Sequence, residues 1–198
     1  DHQEVRGTRG EAPGELRVIE SEADAYAMAV VDPSKVVYLT QTTLSTDDAG
    51  RIITILKRRF PAIKAPPGED ICYATTNRQG VVAEFADQVD RVLVIGSSNS
   101  SNSVRLAEIA ENRGTKAMRI DDVREIDPQF LDGAGRVLVT AGASAPEDLV
   151  QQVIAHLRAN YNASIEVINA PGEAMEFALP PTMRKVLSAE GHDVPREG

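Results

Sequence analysis

The sequence predicts an α/β protein built on mainly parallel sheets. Short runs rich in Val, Ile and Leu alternate along the chain with segments whose apolar residues recur at helical spacing. Within the short runs the apolar residues are continuous rather than alternating, as in "RVLVIG" (91–96) and "RVLVTA" (136–141). Continuous apolar runs are typical of strands that helices cover on both faces, and such strands belong to parallel sheets. We therefore expect three-layer α/β lobes.

Each element is predicted from its own local pattern. Runs of β-branched residues and leucine predict strands at 16–21, 35–43, 91–96, 116–120, 136–141 and 165–169. Helical spacing predicts helices at 22–30, 45–60, 72–89, 103–114 and 146–161. The helix over 45–60 has the clearest apolar face, formed by Ile52, Ile53, Ile55 and Leu56.

The segment "FPAIKAPPGED" (60–70) divides the chain, since it holds three of the eleven prolines. Proline-rich segments are common between domains. We predict an α/β lobe over residues 1–66, a second over 67–180 and a C-terminal tail over 181–198. The alternative is a long surface loop inside a single domain.

Composition excludes several classes of protein. The net charge of −9 and the lack of a basic run argue against a nucleic-acid partner. No apolar stretch reaches the roughly 18 residues of a membrane helix, so no membrane partner is expected. One cysteine excludes an internal disulfide framework, and we expect a cytoplasmic protein. Because the chain starts at Asp1 without Met, we expect it to be part of a longer protein.

Three strand-to-helix junctions share one plan, in "VVYLTQTTLSTDD", "VLVIGSSNSSNS" and "VLVTAGASAPED". In each, an apolar run meets small hydroxyl residues before a helix begins. Helix N-termini beyond the carboxyl ends of parallel strands bind anions well. If the junctions converge, they would surround a phosphate-like group. The alternative is simple N-capping, although a cap needs one such residue and 97–103 supplies seven.

Familiar nucleotide and hydrolase motifs are missing from the sequence. No GxxxxGK[ST] follows a predicted strand, and no GxSxG is present. "DGAG" (132–135) precedes a strand instead of following one, so the dinucleotide fingerprint fails as well.

Cys72 lies near the predicted start of a helix, where the helix dipole favours a thiolate. It could be a buried structural residue, a metal ligand or a nucleophile. A cysteine hydrolase would need a His base, and His2 is a candidate, whereas His156 and His192 lie in a helix and a polar tail. If residues 2–4 were a strand, His2 and Glu4 would share a face as an acid–base pair.

The motifs "DHQEVRGTRGEAPG", "YLTQTTLSTDD", "DICYATTNRQ", "GSSNSSNSVRLAEIA" and "TAGASAPEDLV" together resemble those of the 4-hydroxy-3-methylbut-2-enyl diphosphate reductases, the LytB or IspH family. Their order and approximate spacing match, and the resemblance covers nearly all of residues 1–180. It implies a reductive dehydroxylation in non-mevalonate isoprenoid synthesis that yields isopentenyl and dimethylallyl diphosphate. It also implies a trefoil of three α/β lobes around a 4Fe-4S iron–sulfur cluster, with residues 1–66 as an incomplete middle lobe.

The resemblance assigns roles to residues by position. Cys72 would be the last of three cysteine ligands of the cluster, Glu4 would supply a proton, and Thr42 would orient the substrate hydroxyl and relay that proton. The remaining family positions imply diphosphate binding by His2, Ser100, Ser101, Asn102 and Ser144. A ferredoxin or flavodoxin would donate the electrons.

The chain departs from the family at one point. The other two cluster cysteines of the family lie upstream of "DHQEV", in a lobe that this sequence does not contain. One thiolate does not hold such a cluster, so we expect the chain alone to be inactive and the missing N-terminal lobe to be a partner. The alternative function is a non-catalytic α/β module that binds a phosphorylated metabolite.

Overall fold

The computed structural model describes residues 2–68 and 70–168, together with Thr182, Met183 and Val186. In chain order, its main elements are α1 Gln3–Glu11, α2 Glu22–Ala27, α3 Thr46–Arg59, α4 Tyr73–Phe85, β1 Arg91–Ile95, α5 Ser101–Asn112, β2 Lys116–Ile120, α6 Pro128–Leu131, β3 Val137–Ala141 and α7 Glu147–Tyr161. Short 3-10 turns lie at Pro33–Lys35, Ala86–Gln88 and Val123–Glu125.

The strands form a parallel sheet in the order β2-β1-β3. The central strand β1 pairs Arg91 with Lys116 on one side and with Val137 on the other. This confirms the predicted α/β class, and it confirms the strands at 91–96, 116–120 and 136–141 to within one residue at each end.

Both faces of the sheet are covered by helices. Val92 and Val94 point into a core shared with α4 and α5, while Leu93 and Ile95 point into a second core with α6 and α7. All four side chains are fully buried. Since strand residues alternate between faces, only a strand covered on both sides needs an unbroken apolar run. Residues 67–168 therefore contain the predicted three-layer arrangement.

The regular structure described before α4 consists of helices, apart from the Val37–Lys64 bridge. Helix α3 begins at the Ser45 cap and ends in three basic residues, which suit the negative end of its dipole. Its buried residues Ile55 and Leu56 pack with Ala25 of α2 and with Phe60. This small core, against which Ile52 also packs, confirms the predicted apolar face at Ile52, Ile55 and Leu56.

Three predicted strands are wrong. Residues 16–21 are irregular, and 35–43 contribute only an isolated bridge between Val37 and Lys64. Residues 165–168 are also irregular, and residue 169 lies outside the described residues. A β-branched run favours an extended chain, but a strand exists only where a neighbour supplies the partners of its backbone hydrogen bonds. Residues 16–21 and 165–168 lack such a neighbour in the described part of the chain, and 35–43 has one only where Val37 pairs with Lys64.

Asp1–Ile168 form one compact unit and Asn169–Gly198 a second, whose described residues 182, 183 and 186 are helical. The lobe boundary at residues 66–67 stays a prediction, and the predicted tail over 181–198 lies almost wholly outside the described residues. Where the chain is described, every helix is too short or too polar to cross a bilayer.

Candidate functional site

The chain turns from β1 into α5 at a corner that suits an anion. Ser100 is the N-cap of α5, and its Oγ accepts a hydrogen bond from the Ser103 N–H at 3.3 Å. The first turn of α5 has no acidic residue, whereas the first turns of α3 and α7 each carry two. The positive end of the α5 dipole is therefore not offset by a carboxylate within its own first turn.

The turn from β3 into α7 lies beside this corner. Gly142 follows β3, and its N–H donates to the Ile95 carbonyl of β1 at 2.8 Å. Ala143 and Ser144 come next, and both are exposed. The parallel pairing of β1 and β3 thus brings Ser144 to the same edge of the sheet as Ser100.

An open cavity of about 420 Å³ joins the junctions. It is lined by the predicted site residues His2, Ser100, Ser101, Asn102 and Ser144, and Thr43 represents the first junction. Its described lining contains neither Lys nor Arg. The corners after β1 and β3 meet at this cavity, and Thr43 joins them from a loop instead of from the predicted strand end. The role of each residue stays a prediction.

Asn102 has an unusual position in this lining. Its residue surface is 4% exposed, and neither Oδ1 nor Nδ2 has a hydrogen-bond partner among the described residues. A buried amide without partners is costly, and buried polar groups in proteins are normally paired. A ligand in the adjoining cavity could supply the partner that the protein does not.

Glu4 and Thr42 are joined by two hydrogen bonds. The Thr42 N–H donates to Glu4 Oε2 at 2.8 Å, and the Thr42 hydroxyl donates to Glu4 Oε1 at 2.5 Å. Glu4 is half-buried and Thr42 is exposed. The two residues predicted to handle a proton are therefore in direct contact.

His2 lies at the start of α1. Its Nδ1 accepts from the Glu4 N–H at 3.3 Å, and its Nε2 is 3.2 Å from Ser101 Oγ. The strand geometry considered for His2 and Glu4 is wrong, because residues 3–11 are helical and His2 caps that helix. The cap turns the imidazole toward the α5 corner and the Glu4 carboxylate toward Thr42.

Cys72 is the N-cap of α4, as predicted, and its side chain is exposed. Its N–H donates to the Thr42 carbonyl at 3.1 Å, which ties the cysteine to the Glu4–Thr42 pair. In the described ranges no three His, Cys, Asp or Glu side chains are grouped so as to hold a metal ion. Cys72 is therefore a single candidate ligand, and the described residues do not complete a metal site around it.

Gln79 of α4 fixes the loop after Thr42. It is 2% exposed, its Nε2 donates to the Leu44 carbonyl at 2.8 Å, and its Oε1 accepts from the Thr46 N–H at 3.1 Å. The amide thus binds the start of α3 to the helix that follows Cys72.

A larger and more open cavity of about 560 Å³ lies between α2 and α3, and it is lined by Glu22, Tyr26, Arg51 and Arg58, among others. It contains none of the predicted site residues. We place the site at the smaller cavity because the junctions and the unpaired Asn102 amide meet there.

Comparison with known proteins agrees with the motif pattern. The family model described as LytB protein matches residues 1–158. The chain belongs to the LytB family. It is 47% identical over 197 residues to the 4-hydroxy-3-methylbut-2-enyl diphosphate reductase of Acidothermus cellulolyticus, covering 99% of this chain and 58% of that protein. It is 50% identical over 187 residues to the reductase of that name from Alcanivorax borkumensis, and the match covers 92% of this chain and 60% of that protein.

A solved structure supports the LytB assignment. The E-1-hydroxy-2-methyl-but-2-enyl-4-diphosphate reductase from Plasmodium falciparum matches with a TM-score of 0.80 and 32% identity, over 96% of this chain and 61% of the other. The chain thus spans about three-fifths of the length of each of these LytB relatives.

Some residues that shape the site were not predicted. Gln79 and Ser103 lie inside helices, where the sequence alone does not distinguish them from ordinary helical residues. Helix α1 was not predicted. The signal for Ser103 was its place in "SSNSSNS" between two glycines that end neighbouring strands, Gly96 and Gly142.

Proposed function

We propose that this chain is the diphosphate-binding and proton-supplying part of a 4-hydroxy-3-methylbut-2-enyl diphosphate reductase. The reaction is the two-electron, two-proton removal of the allylic hydroxyl, which gives isopentenyl and dimethylallyl diphosphate. Membership of the LytB family and identities near 50% to reductases of that name support the assignment.

The observation that carries the proposal is the buried, unpaired Asn102 amide in a cavity at the start of α5. In the proposal the diphosphate accepts hydrogen bonds from Asn102, Ser100, Ser101 and Ser144, with His2 beside it. The amides of the first turn of α5 have no partner within the helix and can add to these donors. Neutral donors suit a polyanion in an acidic chain, because no lysine is needed to meet its charge.

Glu4 and Thr42 handle a proton in this proposal. In the structure the Thr42 hydroxyl donates to the Glu4 carboxylate at 2.5 Å. In the proposal Glu4 becomes protonated and the bond reverses, so that Glu4 donates to Thr42 Oγ1 while Thr42 gives its own proton to the departing hydroxyl. Such a relay needs both groups within hydrogen-bond reach, and this pair meets that condition.

Cys72 is proposed as one ligand of a 4Fe-4S cluster, which supplies the electrons when bound. A cluster of this kind is normally held by several cysteines, and the sequence contains one. We assign the other ligands to the part of the LytB relatives that this chain does not span. The electron donor is proposed to be a cytoplasmic ferredoxin or flavodoxin.

A second candidate is a non-catalytic module that binds a phosphorylated metabolite. The cavity at the start of α5, lined by neutral donors, is the observation that supports it. Both candidates need the anion site, and they differ in whether Cys72 matters for a reaction.

The test has two parts. Isothermal titration with inorganic pyrophosphate should show saturable binding, which Asn102→Ala weakens about 10- to 100-fold, as expected for a hydrogen bond to a charged group. The control Asn160→Ala, on the last turn of α7, should bind like the unmodified chain. Equal affinity in all three proteins would show that pyrophosphate does not bind at Asn102.

The second part separates the reductase from the module. The chain is fused to the part of the Acidothermus cellulolyticus relative that it does not match, and the product is reconstituted anaerobically. Reductase activity that Cys72→Ser abolishes supports the reductase. Pyrophosphate binding without activity in the fusion supports the module.

A further inference from the structure

Ser103 contacts Ser100 of the proposed anion site and is not itself among the residues that line the cavity. It is fully buried, and it belongs to the first turn of α5. Two glycines enclose it, Gly96 at the end of β1 and Gly142 at the end of β3. A Cβ built on Gly96 would lie 2.9 Å from Ser103 Cβ, and one on Gly142 would lie 3.4 Å from it, in both cases with Ser103 Oγ closer still.

The hydrogen bonds of this buried serine determine what Ser100 can do. A serine hydroxyl has one proton to donate and two lone pairs that accept. Ser100 Oγ accepts from the Ser103 N–H at 3.3 Å, and the two hydroxyl oxygens are 3.0 Å apart. Ser103 is fully buried and its proton has no other acceptor among the described residues, so the arrangement that pairs this proton has the Ser103 hydroxyl donating to Ser100 Oγ. Both lone pairs are therefore used, while no described residue accepts the Ser100 proton. Toward the cavity, Ser100 can act only as a donor.

We propose that Ser103 is a positioning residue that fixes Ser100 as a donor toward a diphosphate. The inference rests on the proposed function of the cavity. Without the Ser103 hydroxyl, one lone pair of Ser100 is free, and its proton can turn toward other acceptors, including water. An oxyanion gains from a fixed donor because the donor is not reoriented at the moment of binding.

The glycines explain why the Ser103 hydroxyl fits at this place. Gly96 has a φ of +152°, which L side chains rarely adopt. The φ of Gly142 is not in this range, so at position 142 it is the close approach of Ser103 that leaves no room for a side chain. A methyl group at position 142 would displace the Ser103 hydroxyl and with it the hydrogen bond to Ser100.

The test is a double-mutant cycle on pyrophosphate affinity. Ser103→Ala should weaken binding about 3- to 10-fold, the factor expected from one misdirected hydrogen bond. In a Ser100→Ala background, Ser103→Ala should have no further effect, because it acts through Ser100. Equal weakening in both backgrounds would mean a merely structural role and would overturn the inference, as would unchanged affinity of Ser103→Ala.

Two further measurements make the result decisive. Thr115, just before β2, has another buried hydroxyl, which donates to the Ala86 carbonyl at 2.6 Å. Thr115→Val removes this hydroxyl and should lower Tm without changing pyrophosphate affinity. Gly142→Ala should lower Tm less in a Ser103→Ala background than in the unmodified chain. Equal losses would show that the glycine does not accommodate Ser103. Absence of pyrophosphate binding by the unmodified chain would instead reject the proposed function.

Discussion

The carboxylate of Glu4 accepts two hydrogen bonds from Thr42, one from its N–H at 2.8 Å and one from its hydroxyl at 2.5 Å. The residues are 38 positions apart, and the contact joins the first helix of the chain to the loop before α3. Because the Cys72 N–H donates to the Thr42 carbonyl, three motifs that are distant in sequence meet at one threonine.

Glu4→Gln removes the proton that Glu4 can transfer and keeps the hydrogen-bond geometry of the pair. The amide oxygen can still accept from the Thr42 N–H, while the amide NH2 can donate to Thr42 Oγ1, so the fold should persist. In the fusion with the Acidothermus cellulolyticus relative, turnover should fall about 10²- to 10⁴-fold, the usual contribution of general acid–base catalysis.

Steady-state kinetics with pyrophosphate titration checks this expectation. Pyrophosphate affinity should not change, and the control Glu11→Gln at the other end of α1 should keep full turnover. Full turnover in Glu4→Gln would show that this carboxylate does not supply the proton.

Gln79→Leu should destabilise the fold. The substitution leaves the Leu44 carbonyl and the Thr46 N–H without the partner that the buried amide provides. Leaving a buried polar group unpaired costs about 1–3 kcal/mol, and the free energy of unfolding should fall by that amount. Urea unfolding followed by circular dichroism measures it. Gln151→Leu, on the exposed face of α7, is the matched control, and a similar loss there would refute the specific role of Gln79.

The stability of the fold should decrease in acid. Hydrogen bonds from the Arg136 and Gly135 N–H groups lower the pKa of Asp90 below its ordinary value of 3.8, and the Arg124 side chain lowers the pKa of Asp122 to about 2. A carboxyl whose pKa is lower in the folded state stabilises that state above the unfolded pKa and loses this contribution as the pH falls through the folded value.

The free energy of unfolding should therefore be level above about pH 5 and fall between about pH 4 and 2. Urea titrations across this range measure it. Asp90→Asn combined with Asp122→Asn should flatten the decline. An unchanged decline in the double variant would contradict the assignment.

The sheet was predictable because the residues of β1 themselves indicate a strand that is buried on both faces. Four successive residues from Val92 to Ile95 are apolar, and only a strand buried on both faces requires that pattern. The convergence of two junctions followed from the same fact, since parallel strands end at one edge of the sheet. The run over 35–43 looks equally strand-like, yet it has only the Val37–Lys64 bridge, because pairing depends on neighbours that a local pattern does not reveal.

The candidate site was predictable to the extent that its residues line the cavity at the helix start. Ser100 and Asn102 stood out as an excess of hydroxyl and amide side chains at a helix start. Ser103 and Gln79 did not, because a buried polar residue inside a helix is recognised only once its partners are known. His2 and Glu4 were predicted as site residues, but the helix at residues 3–11 that positions them had no clear sequence signal.

The central claim is that the corners after β1 and β3 bind one diphosphate. A ¹⁵N-resolved NMR titration of the chain with inorganic pyrophosphate tests it most directly. The account predicts saturable shifts that are largest at the amides of Ser101, Asn102 and Ser144. Saturable shifts centred instead on Arg51 and Arg58, or no saturable shifts at all, would contradict it.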